Sequence, residues 1–245
     1  MSEKTPKNKI DKSDKPLPFW GIALIPVYIS ALFIIILFPL AQDWAWIEAW
    51  LFITSFVVNF TIIYYLINKK NPRVIRNRMK VKKVGVTDKT KKSARSDWFI
   101  MPLLSIGFFG AIIIPPFDHR FLWSPIYFVI EIIGLIILNG GLIIMGFAMV
   151  QNAYASKILD INKGQQLIDT GLFGHVRHPL YTGAILMILG LPIALGSWIS
   201  LIPAAIGVLA IIVRIKFEEE MLIKGMDGYE EYRIRVKHKI IPKIY

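Results

Sequence analysis

Thr170-Gly171-Leu172-Phe173-Gly174-His175-Val176-Arg177-His178-Pro179-Leu180-Tyr181-Thr182-Gly183 is a polar, turn-rich knot set between two long apolar runs. Its setting decides the fold class. The chain of 245 residues is 55% hydrophobic, with a mean hydropathy of +0.53. That is too apolar for a soluble domain and is the balance of a polytopic membrane protein. Six apolar segments are readable, at roughly 18–40, 46–68, 98–117, 122–150, 180–196 and 198–217. Most reach the ~20 residues that cross a ~30 Å hydrocarbon core. The expectation is an all-α membrane bundle of about six transmembrane helices. Gly196-Ser197 separates the last two segments and predicts a tight antiparallel hairpin. The fourth segment exceeds the core thickness and is expected to tilt or project. The first is too long for a cleavable signal peptide, and no small-residue cleavage site follows it.

The net charge of +12 invites a nucleic-acid partner, but its distribution argues otherwise. Lys and Arg number 5 in residues 1–17, 12 in 69–97, 3 in 151–179 and 8 from Arg214 onward. Arg120 is the remaining one of the 29. With six spans, every rich loop falls on one side. The positive-inside rule makes that side cytoplasmic and puts both termini there. The basic charge thus serves topology and attraction to anionic lipid. Residues 1–17 read as a disordered basic tail, 18–97 as a two-helix N-terminal elaboration with a basic loop, and 98–245 as the functional core. Within the basic loop, Val74, Ile75 and Met79 fit one side of a short interfacial helix, and a solvated loop is the equal alternative. Beyond the sixth segment, Gly225 and Asp227-Gly228 predict a break, with a short helix from Tyr229 to Val236.

Candidate chemistry gathers at the cytoplasmic helix mouths. In loop 151–179, Gln165, Gln166 and the glycines offer amide and free backbone groups to a ligand, although an ordinary connector would look the same. Pro179 suits a first helical position, and His178 before it lies at the positive helix end. Arg177, His178 and Tyr181 also suit plain interfacial anchoring. Arg214 and Glu218 share a helix face, as a ligand-binding pair or as a salt bridge. Glu131 lies inside the fourth segment, where an intramembrane carboxylate is a functional candidate or a protonated packing group. The chain has no cysteine, so disulfides and thiolate chemistry are excluded. The four histidines are scattered, and no metal site is expected.

Gly171, Arg177-His178-Pro179-Leu180-Tyr181 with Gly183, Gly196-Ser197-Trp198, Arg214 with Glu218-Glu219, Gly228-Tyr229-Glu230-Glu231-Tyr232 and Ile241-Pro242 together resemble the isoprenylcysteine carboxyl methyltransferase family and its phospholipid methyltransferase relatives. The resemblance covers roughly residues 135–245. It implies an integral membrane methyltransferase that uses S-adenosylmethionine in a cytoplasmic pocket, without the soluble dinucleotide-binding fold. Carried over, the cofactor contacts are Gln165, Gln166, Leu167, Ile168, Phe173, His178, Pro179, Leu180, Tyr181 and Glu218. Arg214 is the substrate-side, catalytic residue. Phe173 departs from the family's usual tyrosine, and the two glutamines match by position only. The implied acceptor is lipophilic, an isoprenylcysteine-like carboxylate or a lipid headgroup, with the carboxylate preferred. The implied location is a membrane, the plasma membrane if the source is prokaryotic. The alternatives are an NADPH-dependent reductase, since Ile241-Pro242-Lys243-Ile244-Tyr245 is similar to sterol reductase tails, and a non-catalytic membrane protein.

Overall fold

A computed structural model describes residues 16–72, 74–75, 91–152 and 167–242. Among them the chain is all helical: α1 (Phe19–Ala41), α2 (Ile47–Lys70), α3 (Lys91–Phe121), α4 (Phe128–Gln151), α5 (Pro179–Ala194), α6 (Leu201–Gly225) and α7 (Tyr229–Arg235). A short 3-10 turn spans Gly171–Gly174. In lipid an α-helix satisfies its own backbone groups, which is why apolar sequence of this length adopts it. Prolines lie inside α1, α3 and α5, which membrane helices tolerate because neighbouring groups re-satisfy the freed carbonyls.

The helical membrane bundle agrees with the sequence reading, but its span count is smaller by strict criteria. Four helices, α1 to α4, are long and apolar enough to cross a membrane. The α5 helix has 16 residues, about 24 Å at 1.5 Å per residue. The α6 helix is long enough, yet Arg214, Lys216 and Glu218 enter its apolar stretch. Two boundaries also differ. Residues 122–127 do not begin the fourth helix. They form a turn in which Leu122 has φ 53° and Pro125 bridges to Ser197. At the other end of the chain, α6 runs on past residue 217 to Gly225 before breaking, and α7 follows where expected.

Side-chain contacts fix how the helices run. Asn59 faces Asn139 (2.6 Å), so α2 and α4 run parallel, as Asn71 bonding Val150 O confirms. Gly141 and Gly183 meet backbone to backbone. A Cβ on Gly183 would lie 2.5 Å from Gly141 O and 2.7 Å from Met145 N. A Cβ on Gly107 would lie 2.4 Å from Gly207 Cα. These are the close approaches that small residues permit between membrane helices, and they make α4–α5 and α3–α6 antiparallel seams.

One end of the bundle therefore gathers residues near 20, 70, 98, 151, 179 and 218. It carries exposed Trp20, Trp98 and Phe99. The opposite end carries exposed Trp44, Trp123, Tyr127 and Trp198. Aromatic residues at both levels fit two membrane–water interfaces. At that opposite end Asp118, 1% exposed, accepts hydrogen bonds from Ser124 N (2.6 Å) and Ser197 Oγ (2.5 Å), and so pins the α3–α4 turn onto the α5–α6 turn. Glu131 is in the first turn of α4 rather than deep in the helix. Its carboxyl lies against Gly196, where a Cβ would come within 2.6 Å. Val74 and Ile75 are buried against the core, and Met79 lies outside the described residues.

The glycine seam predicts a contrast. Gly183→Ala should destabilise the detergent-solubilised protein by about 3 kcal/mol, because backbone rather than a mobile side chain must yield. Gly140→Ala, which meets nothing within 4 Å, should be neutral or raise stability through helix propensity. Thermal unfolding of both variants checks this, and equal melting temperatures would contradict the seam.

Candidate functional site

The polar knot closes one end of the bundle. Gly171 takes φ +61°, a left-handed conformation that a glycine adopts without penalty. Gln151 at the end of α4 receives the turn, its Oε1 accepting from Leu172 N at 3.0 Å. The chain then passes through Arg177 and His178 to Pro179, the first residue of α5. The segment after α7 returns beside it. Arg177 N donates to His238 O and His178 N to Lys239 O, both at 2.9 Å, and Thr182 Oγ1 donates to Ile240 O at 2.8 Å.

Glu219 of α6 is the centre of this closure. Arg177 Nε donates to its Oε1 at 2.7 Å, His178 Nε2 stands 3.4 Å from the same oxygen, and Lys239 Nζ lies 2.9 Å from Oε2. Arg177 also donates to the carbonyls of Val236 (2.6 Å) and Lys237 (2.8 Å). Arg177, His178 and Glu219 are all buried. Arg177 and His178 are thus internal ties, not interfacial anchors. Burial works against ionisation of Glu219, but hydrogen bonds from His178, Arg177 and Lys239 outweigh it and hold the carboxyl far below the usual carboxylate range.

One residue earlier on α6 a second group forms. Tyr181 OH donates to Glu218 Oε2 at 2.5 Å and accepts from Arg214 Nε at 3.0 Å. Arg214 is buried, and its Nη1 reaches Met101 Sδ of α3 at 3.6 Å. Arg214 and Glu218 are therefore linked through the tyrosine. Next to Met101 opens an apolar cleft of about 690 Å³, lined by Trp98, Phe99, Met101, Pro102 and Leu103.

Of the residues expected at a site, the structure brings His178, Pro179, Leu180, Tyr181, Arg214 and Glu218 together at this end. Leu167 packs against the small cluster of Tyr229, Tyr232 and Val236. Phe173 lacks a hydroxyl, but its carbonyl accepts from Tyr232 OH at 2.7 Å. Ile168, which follows Leu167, is half-buried. Gln165 and Gln166 lie outside the described residues. Sequence reasoning missed Glu219 and Lys239 as the lock. Three consecutive acids in a basic region were the available signal. Among the described residues no group of three or more His, Asp or Glu could hold a metal ion.

Residues 127–226 match the family model described as phospholipid methyltransferase. The match covers the stretch that carries α4, the polar knot, α5 and α6, so this part of the chain is similar to that family, in agreement with the resemblance its motifs carry. No curated protein matches the chain. Four of its helices are long and apolar enough to cross a membrane, and its C-terminal part is similar to membrane methyltransferases.

The Glu219 lock predicts an acid dependence. A folded-state pKa held below the unfolded value contributes stability that is complete above the unfolded pKa and is lost as pH falls through the folded one. The wild type should therefore hold this contribution at neutral pH and lose it only on acidification below the ordinary carboxylate value of 4.5. Glu219→Gln should lose roughly 3–5 kcal/mol at pH 7, because the buried guanidinium of Arg177 loses its counter-charge. Its melting temperature should also fall less steeply with acid. Parallel pH profiles for the two proteins would refute the assignment.

Proposed function

We propose that the chain is a multi-pass membrane enzyme that transfers the methyl group of S-adenosylmethionine to a lipophilic acceptor, with plasma membrane residence if the source is prokaryotic. The observation that carries this reading is the contrast between two adjacent carboxylates. Glu219 has three basic partners. Glu218, half-buried, has Tyr181 OH and no cation among the described residues. A carboxylate held this way in a low-dielectric setting favours an incoming cation. S-adenosylmethionine carries positive charge on its sulfonium and amino groups, so the residues present fit it. The carboxylate of Glu218 disfavours the phosphates of NADPH, and the family match likewise favours methyl transfer over reduction.

When bound, the cofactor supplies an electrophilic methyl group on sulfur. The chain's residues bind, orient and exclude water, which can supply much of the rate for an in-line displacement. Glu218 holds positive charge, and Tyr181 fixes the orientation of both Glu218 and Arg214. The guanidinium of Arg214 orients an anionic acceptor head, and a carboxylate acceptor is already ionised near neutral pH. The apolar cleft beside Met101 suits the acceptor's hydrocarbon chain. Leu167, Ile168, Phe173, His178, Pro179 and Leu180 complete the cofactor side in this reading, with Gln165 and Gln166.

The family description favours a second acceptor, the amine of a phospholipid headgroup. An amine must lose its proton before it attacks, and in this second reading Glu218 receives it.

Calorimetric titration of the detergent-purified protein with S-adenosylhomocysteine should give micromolar binding, abolished by Glu218→Ala. Folded wild-type protein that binds none would sink the proposal. Arg214→Ala should abolish turnover of a lipid acceptor while leaving S-adenosylhomocysteine affinity within about twofold, the pattern of a lost acceptor-side interaction. Unchanged turnover would remove Arg214 from the reaction.

A further inference from the structure

Two tyrosines of α7 lie edge to face, with ring centroids 5.7 Å apart. Both are 3% exposed. Tyr232 is satisfied, because its hydroxyl donates to Phe173 O at 2.7 Å. Tyr229 is not: its buried hydroxyl has no hydrogen-bond partner among the described residues. A phenylalanine would fill the same space against Leu167, Leu222 and Met226 without burying an unpaired polar atom. The hydroxyl therefore costs stability in this form of the protein, and such groups call for an explanation.

Its position supplies one. Tyr229 follows Gly228, over which Leu167 of the cofactor-side loop packs, its Cδ2 3.9 Å from where a Cβ on Gly228 would lie. Tyr229 packs with Val236, whose carbonyl accepts from Arg177 at 2.6 Å, so the phenol lies beside the Glu219 lock, and the charges of Glu219, Arg177 and Glu218 reach it. Burial first, then the charge of Glu219, push its ionisation well above the usual tyrosine range. At neutral pH it is an O–H donor seeking an acceptor. We propose that Tyr229 is a ligand-binding residue whose hydroxyl donates a hydrogen bond to an acceptor atom of the bound S-adenosyl compound. Glu218 takes the cationic part of that ligand and Tyr229 an oxygen or nitrogen of it. The inference rests on the cofactor reading given above.

The test is Tyr229→Phe in the full-length, detergent-purified chain. Two quantities are measured beside the wild type: the melting temperature without ligand and the affinity for S-adenosylhomocysteine. The expected pair is an unchanged or higher melting temperature and an affinity weaker by about tenfold, the size of one buried hydrogen bond. Unchanged affinity overturns the inference. A lower ligand-free melting temperature also overturns it, because the hydroxyl then has an internal structural partner. Wild-type protein that binds no S-adenosylhomocysteine overturns this inference together with the proposed function. Wild-type binding with an unaltered Tyr229→Phe variant overturns this inference alone.

Discussion

The polar end of this molecule depends on the carboxylate of Glu219. It joins three parts of the chain that share no secondary structure: the knot before α5 through Arg177 and His178, the end of α6 that carries it, and the segment beyond α7 through Lys239. A buried ion pair repays its desolvation only when the remaining hydrogen-bond capacity is also used. Here both carboxylate oxygens are engaged, and Arg177 spends further donors on two backbone carbonyls. The consequence is positional. With Glu219 fixed, Glu218 is set one helix position away, facing Tyr181. A saturated acid thereby holds an unsaturated one in place, and the second supports the proposed chemistry.

The membrane part obeys a different rule. Lipid gives apolar side chains no reason to prefer a helix partner over an acyl chain, so association needs close backbone approach or interhelical hydrogen bonds. The α4–α5 and α3–α6 seams use the first device, at Gly141 with Gly183 and at Gly107 with Gly207. The α2–α4 contact uses the second, at Asn59 with Asn139 and Ser55. The two seams bring α5 and α6 to the bundle, and so bring Tyr181 and Arg214 within one hydrogen bond of each other.

The sequence was legible where chemistry is local. Apolar runs located all six long helices, and the Arg214–Glu218 spacing announced one helix face. Hydropathy misplaced the start of α4, because Leu122, Trp123 and Tyr127 are apolar yet belong to a turn shaped by Ser124 and Pro125. It also counted Glu131 as well inside the fourth segment, whereas it stands in the first turn of α4. The lock was not legible. Arg177 and Glu219 are 42 positions apart, and Lys239 resembles the other lysines of the basic stretch after α6. Nothing short of the fold distinguishes the one that is paired. Tyr229 and Tyr232 sit three apart and look equivalent, but only the folded packing gives one hydroxyl a carbonyl and denies the other.

The Asn59–Asn139 bond joins residues 80 positions apart, which has a consequence for how the protein is made. Translation proceeds at about 5–20 residues per second, so Asn59 reaches the bilayer roughly 4–16 s before its partner exists. In the finished protein its amide donates to Ser55 O within its own helix (3.0 Å), a bond that needs no partner helix. The nascent α2 helix is thus equipped to wait in lipid with its polar group provisionally satisfied. The arrival of α4 then adds a side-chain acceptor, Asn139 Oδ1, to that amide.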